Sequence, residues 1–241
     1  MKGIVLAGGT GSRLMPLTKV TNKHLLPVGK KPMIFYPIEQ LVQAGIKDIL
    51  IVTGIEHMGD VVALLGSGRD FNCRFTYRVQ DEAGGIAQAL GLAREFAHND
   101  SIAVILGDNI FENPLAPIVR RYQEQNGGAR VVLKEVHDPS RYGVASLKEN
   151  KISSIEEKPS EPKSNFAVTG FYLYDESVFS VIDKLKPSGR GELEITDVNN
   201  YYTSIGKLDY DFVDGWWTDA GTFDSLSHAN QLVEAQAGDQ Q

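Results

Sequence analysis

Residues 4–13, IVLAGGTGSR, decide how this chain reads. Residues 1–7 have the profile of a short buried strand. Gly8, Gly9 and Gly11 follow at once, with Thr10 and Ser12 interleaved and Arg13 at the end. A strand that runs into glycines presents bare backbone N–H groups, and such groups suit a phosphate. Arg13 adds a planar, permanently charged fork to the same loop, and Lys23 follows in TNKHLLP. One loop thus offers amides, a guanidinium and an ammonium to an anion, and the expected ligand is a polyphosphate. Three rival readings stand beside this one. A glycine-rich strand-to-helix turn can be a tight turn and nothing more. A dinucleotide fingerprint needs a third glycine where Leu14 stands, and an acidic residue closing the second strand, where DILIVTG has Thr53. A P-loop needs glycine followed by Lys-Ser or Lys-Thr, and no such run exists. A nucleotide loop of a different type remains.

Working outward, strand-like and helix-like stretches alternate. A helical pattern at 34–44 places Ile34, Ile38, Leu41 and Val42 on one face. Strands are predicted at 48–53, 74–79, 102–106 and 130–136, and helices at 58–65, 86–96 and 115–125. This alternation implies an α/β fold with a mostly parallel sheet covered on both faces. The second half is less regular. Short strands are predicted at 144–147, 152–155 and 168–174, and helices at 178–185, 192–203 and 223–235, with residues after Ala237 frayed and polar.

The 241 residues suffice for one large α/β domain or two small ones, and 42% hydrophobic content supports a substantial core. The formal net charge of -7 argues against a nucleic-acid polymer or an anionic membrane as partner, but not against a small phosphorylated ligand. Cys73 is the single cysteine, so no intrachain disulfide forms, and its setting in CRFTYRVQ reads as a plain buried thiol. No Cys/His cluster points to zinc. No signal-peptide pattern and no apolar run of ~20 residues is present, so the expected location is cytoplasmic.

Four further runs carry chemistry. IAVILGDN ends a buried strand with Gly107, Asp108 and Asn109. Ligands of open α/β sheets bind beyond strand carboxyl ends, and a carboxylate there suits Mg²⁺, which takes one or two carboxylates plus phosphate oxygens. An Asx turn or a helix cap fits the same run. GWWTDAGT offers Asp219 beside two tryptophans, as a pocket wall or as a core pair next to a helix capped by Thr222. SSIEEKPS places Glu157 and Lys158 at a strand end before Pro159, where a sugar hydroxyl and a phosphate could bind, or where the charges merely face water. PSGRGELEITD sets Arg190 at a helix start, as an anion site or a solvated cap.

Taken together, LAGGTGSRL, NKHLLPVG, KPMIFYPI, RVQDEAGGIAQAL, LGDNIF, YGV, IEEKP, AVTGFYLYD, RGELEITDVN and WWTDAGT, in this order, strongly resemble the glucose-1-phosphate thymidylyltransferases of the sugar nucleotidyltransferase superfamily. The resemblance runs from Met1 to about Leu232. It implies a Rossmann-like, GT-A-like fold, a mostly parallel central sheet flanked by helices with an irregular sugar-binding part. One domain is expected over 1–241: 1–135 mainly for the nucleotide, 136–225 mainly for the sugar phosphate, and 226–241 as closing helix and tail. It implies that Leu6, Gly8, Gly9, Thr10, Gly11, Ser12 and Arg13 wrap the nucleotide, that Lys23 joins Arg13 on the phosphates as a catalytic pair, and that Gln80 and Gly85 meet the base. Asp108 and Asp219 would hold Mg²⁺, with Asp108 also at the nucleotide. Asn109, Tyr142, Gly143, Glu157 and Val168 would line the glucose site, and Lys158 and Arg190 would grip the sugar phosphate. The implied reaction joins dTTP and glucose 1-phosphate to give dTDP-glucose and pyrophosphate, on the way to dTDP-rhamnose and polysaccharide, in a homo-oligomer. A UTP-using enzyme and a catalytically silent nucleotide sensor are the alternatives.

Two departures lie near the expected base pocket. His24 follows the lysine where many longer members have Gln, and residues 83–86 read AGGI where they tend to have Pro-x-Gly-Leu. His57, His98, His137 and His228 match no motif and read as surface or packing residues. Longer relatives continue into a helical segment linked to feedback control. Without it, dTDP-rhamnose is expected to inhibit weakly or only by competing with dTTP.

Overall fold

The strand β1 (Lys2–Ala7) is buried from Gly3 to Ala7 because its two faces serve two different cores. Ile4 and Leu6 point into one, Val5 and Ala7 into the other, as the two-residue period of a strand requires. The computed structural model describes residues 1–238, so the polar tail expected after Ala237 lies outside them from 239 on. After β1 come the short pair β2 (Pro27–Val28) and β3 (Lys31–Pro32), then α1 (Phe35–Gln43), β4 (Asp48–Gly54), α2 (Met58–Leu65), β5 (Arg74–Gln80), α3 (Ile86–Gly91), α4 (Arg94–Ala97) and β6 (Ile102–Leu106). The second half contains β7 (Asn109–Phe111), α5 (Ala116–Glu124), β8 (Ala129–Glu135), β9 (Gly143–Lys148), β10 (Lys151–Glu157), β11 (Phe166–Tyr174), α6 (Val178–Ile182), α7 (Ile195–Ser204), β12 (Leu208–Phe212), β13 (Trp217–Asp219) and α8 (Phe223–Gly238).

One nine-stranded sheet runs through both halves. Strands β5, β4, β1 and β6 are parallel neighbours in that order. β11 then joins antiparallel to β6, and β8 and β9 flank it antiparallel. β10 closes one edge beside β9, and β12 runs parallel to β8. Helices α1, α2 and α5 cover one face, while α3, α4, α6 and α7 cover the other. A third, smaller core joins Leu14, Val28, Met33, Ile110 and Ala229. It ties the chain after the glycine loop to β7 and α8.

Most sequence expectations hold, and the differences have local causes. The helix predicted at 86–96 divides into α3 and α4, because the N–H groups of Leu92 and Ala93 bond carbonyls three residues back. The helix predicted from 192 begins at Ile195. Glu194 is extended, and Leu193 exchanges backbone bonds with Gly84 and Ala87 instead of joining a helix. Arg190 therefore sits in a turn, not at a helix start. The helix predicted to 185 ends at Ile182. Strands β7, β12 and β13 were not anticipated. Among the described residues no helix is long and apolar enough to cross a membrane.

Candidate active site

Ala7 pairs with Thr53 and Leu6 with Leu106, so β1, β4 and β6 end at the same edge of the sheet. Gly8, Gly54 and Gly107 leave those ends side by side. A cleft of about 330 Å³ opens there, bounded on one side by Gly8, Gly9, Arg13, Gln80 and Gly85 and on the other by Tyr142, Gly143, Glu157, Lys158 and Val168. Leu6, Lys23, Asp108, Asn109 and Asp219 lie along its wall between them. Thr10, Gly11, Ser12 and Arg190 lie beyond the wall, the first three in the same loop.

The first rim is built mainly from backbone. A Cβ on Gly8 would displace the Gln80 side-chain oxygen. Gln80 is buried and held by Gln88, with Nε2 donating to Oε1 at 2.6 Å and to the Gly85 carbonyl at 3.4 Å. Gly85 has φ +97, and a Cβ on it would lie 2.6 Å from the Leu193 carbonyl oxygen. Only glycine fits that junction.

Arg13 and Lys23 are placed by their neighbours. Leu14 is fully buried in the third core, an anchor that contributes about 1.5–3 kcal/mol. Asn22 is buried and bonds the Ala7 carbonyl and the Thr53 hydroxyl, while its Oδ1 accepts from the His24 N–H at 2.9 Å. Asn22 thus caps the turn that carries Lys23 onto the ends of β1 and β4. His24 is buried, its ring against Gly107, and Nδ1 lies 2.7 Å from Asn22 Oδ1. Burial, with the Lys23 charge beside it, pulls its imidazole down to about 3, so the ring is neutral.

Asp108 and Asp219 meet across the β7–β13 pairing, in which Asp219 faces Asn109. Both Oδ2 atoms lie 3.4 Å from the point where a Gly221 Cβ would stand, and Arg13 Nη2 lies 3.1 Å from it. Two carboxylates and a guanidinium therefore converge over one glycine. Lys23 Nζ sits 2.5 Å from Asp108 Oδ2. Burial pushes the Asp108 carboxyl up, but the Lys23 ammonium and the hydrogen bonds from Lys23 and Asn109 outweigh it and hold the group well below the usual carboxylate range. Asp219 is pushed the other way, by burial and by the Asp108 charge, although Tyr142 O–H at 3.1 Å and Arg141 at 3.3 Å stabilise its charge. No cluster of three or more His, Cys, Asp or Glu ligands exists among the described residues. Two converging carboxylates with room for phosphate oxygens nevertheless fit a divalent cation of the Mg²⁺ type. Thr222 also caps α8, accepting from the Ser225 N–H at 3.2 Å, so the packing reading of that run holds beside the site reading.

The second rim is built from side chains. Glu157 Oε2 accepts from Thr196 Oγ1 at 2.6 Å, and its Oε1 lies 3.3 Å from Arg190 and 3.7 Å from Lys158. Lys158 has φ +44, a strained position for lysine, and its N–H bonds the Tyr142 carbonyl at 2.9 Å. Arg190 is held by Glu194 at 2.8 Å and lies near Glu192 and Glu157. Asn109 lines the cleft, but its Oδ1 already accepts from the Gly170 N–H at 2.9 Å and from Trp217 Nε1 at 2.8 Å, and its Nδ2 donates to Asp108 at 3.0 Å. Its side chain therefore aims Asp108.

Several wall residues escaped the sequence reading: Arg141, Gly170, Tyr172, Thr196 and Asn199. Val168, Gly170 and Tyr172 stand two apart on one face of β11, so strand periodicity extended from Val168 would have found the other two.

The family model for nucleotidyl transferases matches residues 2–236. The chain belongs to the nucleotidyl transferase family. A glucose-1-phosphate thymidylyltransferase of Neisseria meningitidis serogroup A is 45% identical over 97% of this chain and 83% of its own length. One from Mycolicibacterium smegmatis is 44% identical over 97% of this chain and 82% of its own. Among solved structures, a Bacillus anthracis protein assigned as a glucose-1-phosphate thymidylyltransferase, in complex with sucrose, superposes with a TM-score of 0.93 at 62% identity, covering 96% of this chain and 94% of that one. A UDP-glucose pyrophosphorylase bound to UDP-glucose gives 0.86 at 27% identity, with 98% of each chain covered. The fold whose strand ends open onto this cleft is thus that of a nucleotidyl transferase.

Proposed function

We propose that this nucleotidyl transferase moves a thymidylyl group from dTTP to glucose 1-phosphate, releasing pyrophosphate, with Mg²⁺ as its cation. The observation that carries the reading is the convergence of Asp108, Asp219 and Arg13 over Gly221, between a backbone-built rim and a carboxylate-lysine rim. The relatives named for this activity, at 44–45% identity, support the substrate pair.

A phosphate oxygen of the sugar phosphate is already a nucleophile at neutral pH. It attacks the α-phosphorus, and the bond to pyrophosphate breaks, so no general base is needed. The protein's work is positional and electrostatic. The N–H groups of the glycine loop and the Arg13 guanidinium would take the triphosphate oxygens. Lys23 would drain charge from the α-phosphoryl group. Gln80 and the Gly85 backbone would meet the base. Lys158 and Arg190 would draw the sugar phosphate towards the reacting phosphorus against its own repulsion, while Glu157, Tyr142, Gly143, Asn109 and Val168 shape the sugar side. Asp108 and Asp219 would hold the cation, which neutralises phosphate charge.

The likeness to a UDP-glucose pyrophosphorylase favours UTP as the second reading. Steady-state kinetics with dTTP, UTP, ATP, CTP and GTP against glucose 1-phosphate separates the two. The expected result is Mg²⁺-dependent pyrophosphate release, fastest with dTTP and absent without the sugar phosphate. No release with any nucleotide would remove the transferase reading.

A further inference from the structure

We infer that Lys23 is an internal counter-ion standing at the cation's place on Asp108, so that the divalent cation enters with the polyphosphate and not before it. The inference rests on the proposed reading of Asp108 and Asp219 as the cation's ligands. Lys23 Nζ lies 2.5 Å from Asp108 Oδ2, and both side chains are only 13% exposed. That oxygen is the one that faces Asp219 across Gly221. The other, Oδ1, already accepts from Asn109 Nδ2. In the free protein, therefore, both Asp108 oxygens are engaged, and the one that points into the gap carries an ammonium.

The second carboxylate is balanced in the same way. Arg141 Nη2 lies 3.3 Å from Asp219 Oδ1 and 3.4 Å from Oδ2, and Tyr142 O–H donates to Oδ1. Lys23 thus balances Asp108, while Arg141 balances Asp219, with the Arg13 guanidinium beside both carboxylates. A divalent ion arriving alone would face a lysine charge in a poorly hydrated place, where repulsion is weakly screened.

A polyphosphate removes that obstacle. The Lys23 Cβ lies 3.3 Å from where a Gly11 Cβ would stand, so the residue is part of the glycine-loop wall. Lysine is a point charge on a flexible four-carbon stem and can be handed from a carboxylate to a phosphate oxygen by side-chain rotation alone. Once it turns, Asp108 presents a bare, ionised oxygen beside Asp219, next to the phosphates that complete the cation's shell.

Mn²⁺ titration of the full chain without nucleotide, read by the electron paramagnetic resonance of free Mn²⁺, tests this. Lys23→Gln should bind Mn²⁺ at least ~10-fold more tightly than the wild type, because it leaves a buried carboxylate uncompensated. Lys23→Arg should stay as weak as the wild type, and adding Asp108→Asn to Lys23→Gln should abolish the gain. Equal Mn²⁺ affinity in Lys23→Gln and wild type overturns the inference. The wild type supplies an arm that does not depend on how the neutral variant folds. Its Lys23 ammonium NMR signal, assigned by its loss in Lys23→Arg, should move on adding dTTP without metal and should not broaden with Mn²⁺ alone. Broadening by Mn²⁺ alone overturns the inference. Pyrophosphate release by the wild type is scored separately. Its absence with the Lys23 effects intact removes the thymidylyl reading only, whereas its presence without them removes the counter-ion only.

Discussion

Where β1, β4 and β6 end together, the chain reaches the cleft with backbone: Gly8, Gly9 and the Gly85 junction. Where β9, β10 and β11 meet, it reaches with side chains: Glu157, Lys158, Tyr142 and Tyr172. The contrast follows from strand direction. Parallel strands deliver all their carboxyl ends to one edge, so short loops present N–H groups there. Antiparallel strands pass the cleft sideways and present alternate residues from one face. The first arrangement suits a repeated anionic group such as a triphosphate. The second suits a ring of hydroxyls, each of which needs its own partner.

Breaking the junction of the two rims should have the largest effect. Asp108→Asn and Asp219→Asn are each expected to cut kcat by ~10²–10³, about 2.7–4 kcal/mol of transition-state stabilisation, with circular dichroism unchanged. A near-normal kcat for Asp219→Asn would take that residue out of the proposed site.

The next test separates the rims. Loss of a hydrogen bond to a charged group is worth about 1.5–3 kcal/mol. Arg13→Ala should spend that loss on kcat, and Lys158→Ala on the KM for glucose 1-phosphate. Single-turnover and binding measurements on both variants decide the matter, and the reverse pattern would show that the rims have been assigned the wrong way round.

Gly85→Ala probes the backbone rim alone. With φ +97 and the Leu193 carbonyl in the way, it should cost about 1–3 kcal/mol of stability in urea unfolding. It should also raise the KM for dTTP while leaving that for glucose 1-phosphate unchanged.

The smallest effect concerns the side-chain half. Asp175 accepts bonds from the Gly128 N–H at 2.6 Å, from Ser177 and from Tyr202 O–H at 2.9 Å. Burial pushes its carboxyl up, but these bonds outweigh it and hold it below its ordinary value. A depressed carboxyl stabilises the fold above its unfolded pKa of about 3.9 and loses that contribution as pH falls through the folded value. The Tm deficit of Asp175→Asn should therefore be full at neutral pH and shrink below pH ~4. A constant deficit would show that packing, not charge, accounts for it.

The backbone half was the more legible in sequence. The strand at 102–106 and the helix at 58–65 coincide with β6 and α2, because a continuous apolar run and a helical period are local signals. Gly8, Gly9 and Asp108 follow such apolar runs, and they line the cleft together with Lys23. The pairing of β7 with β13 has no local period, since each strand is three residues long and its partner is distant in the chain. Without that pairing nothing in the sequence aims Asn109 at Asp108, or shows that its Oδ1 is shared by Trp217 and Gly170. Arg141 escaped because a charged residue in a short turn looks like any surface residue until Asp219 is placed beside it. Cys73 is a plain buried thiol, as its sequence setting implies, and its Sγ lies 3.6 Å from the Gly68 carbonyl.

Strand β11 is hydrogen-bonded to β6 along its carboxyl-terminal half, to β9 through Ala167, and to β8 on its other edge. One strand, with a register break against β8 between Val168 and Tyr172, is thereby common to both rims. Two bodies that share a strand cannot swing about a hinge, because rotation would tear the ladder that joins them. Gripping and releasing substrates must then fall to the segments that leave the sheet, the glycine loop and the turns around Arg141 and Lys158, with the frame between them acting as a fixed anvil.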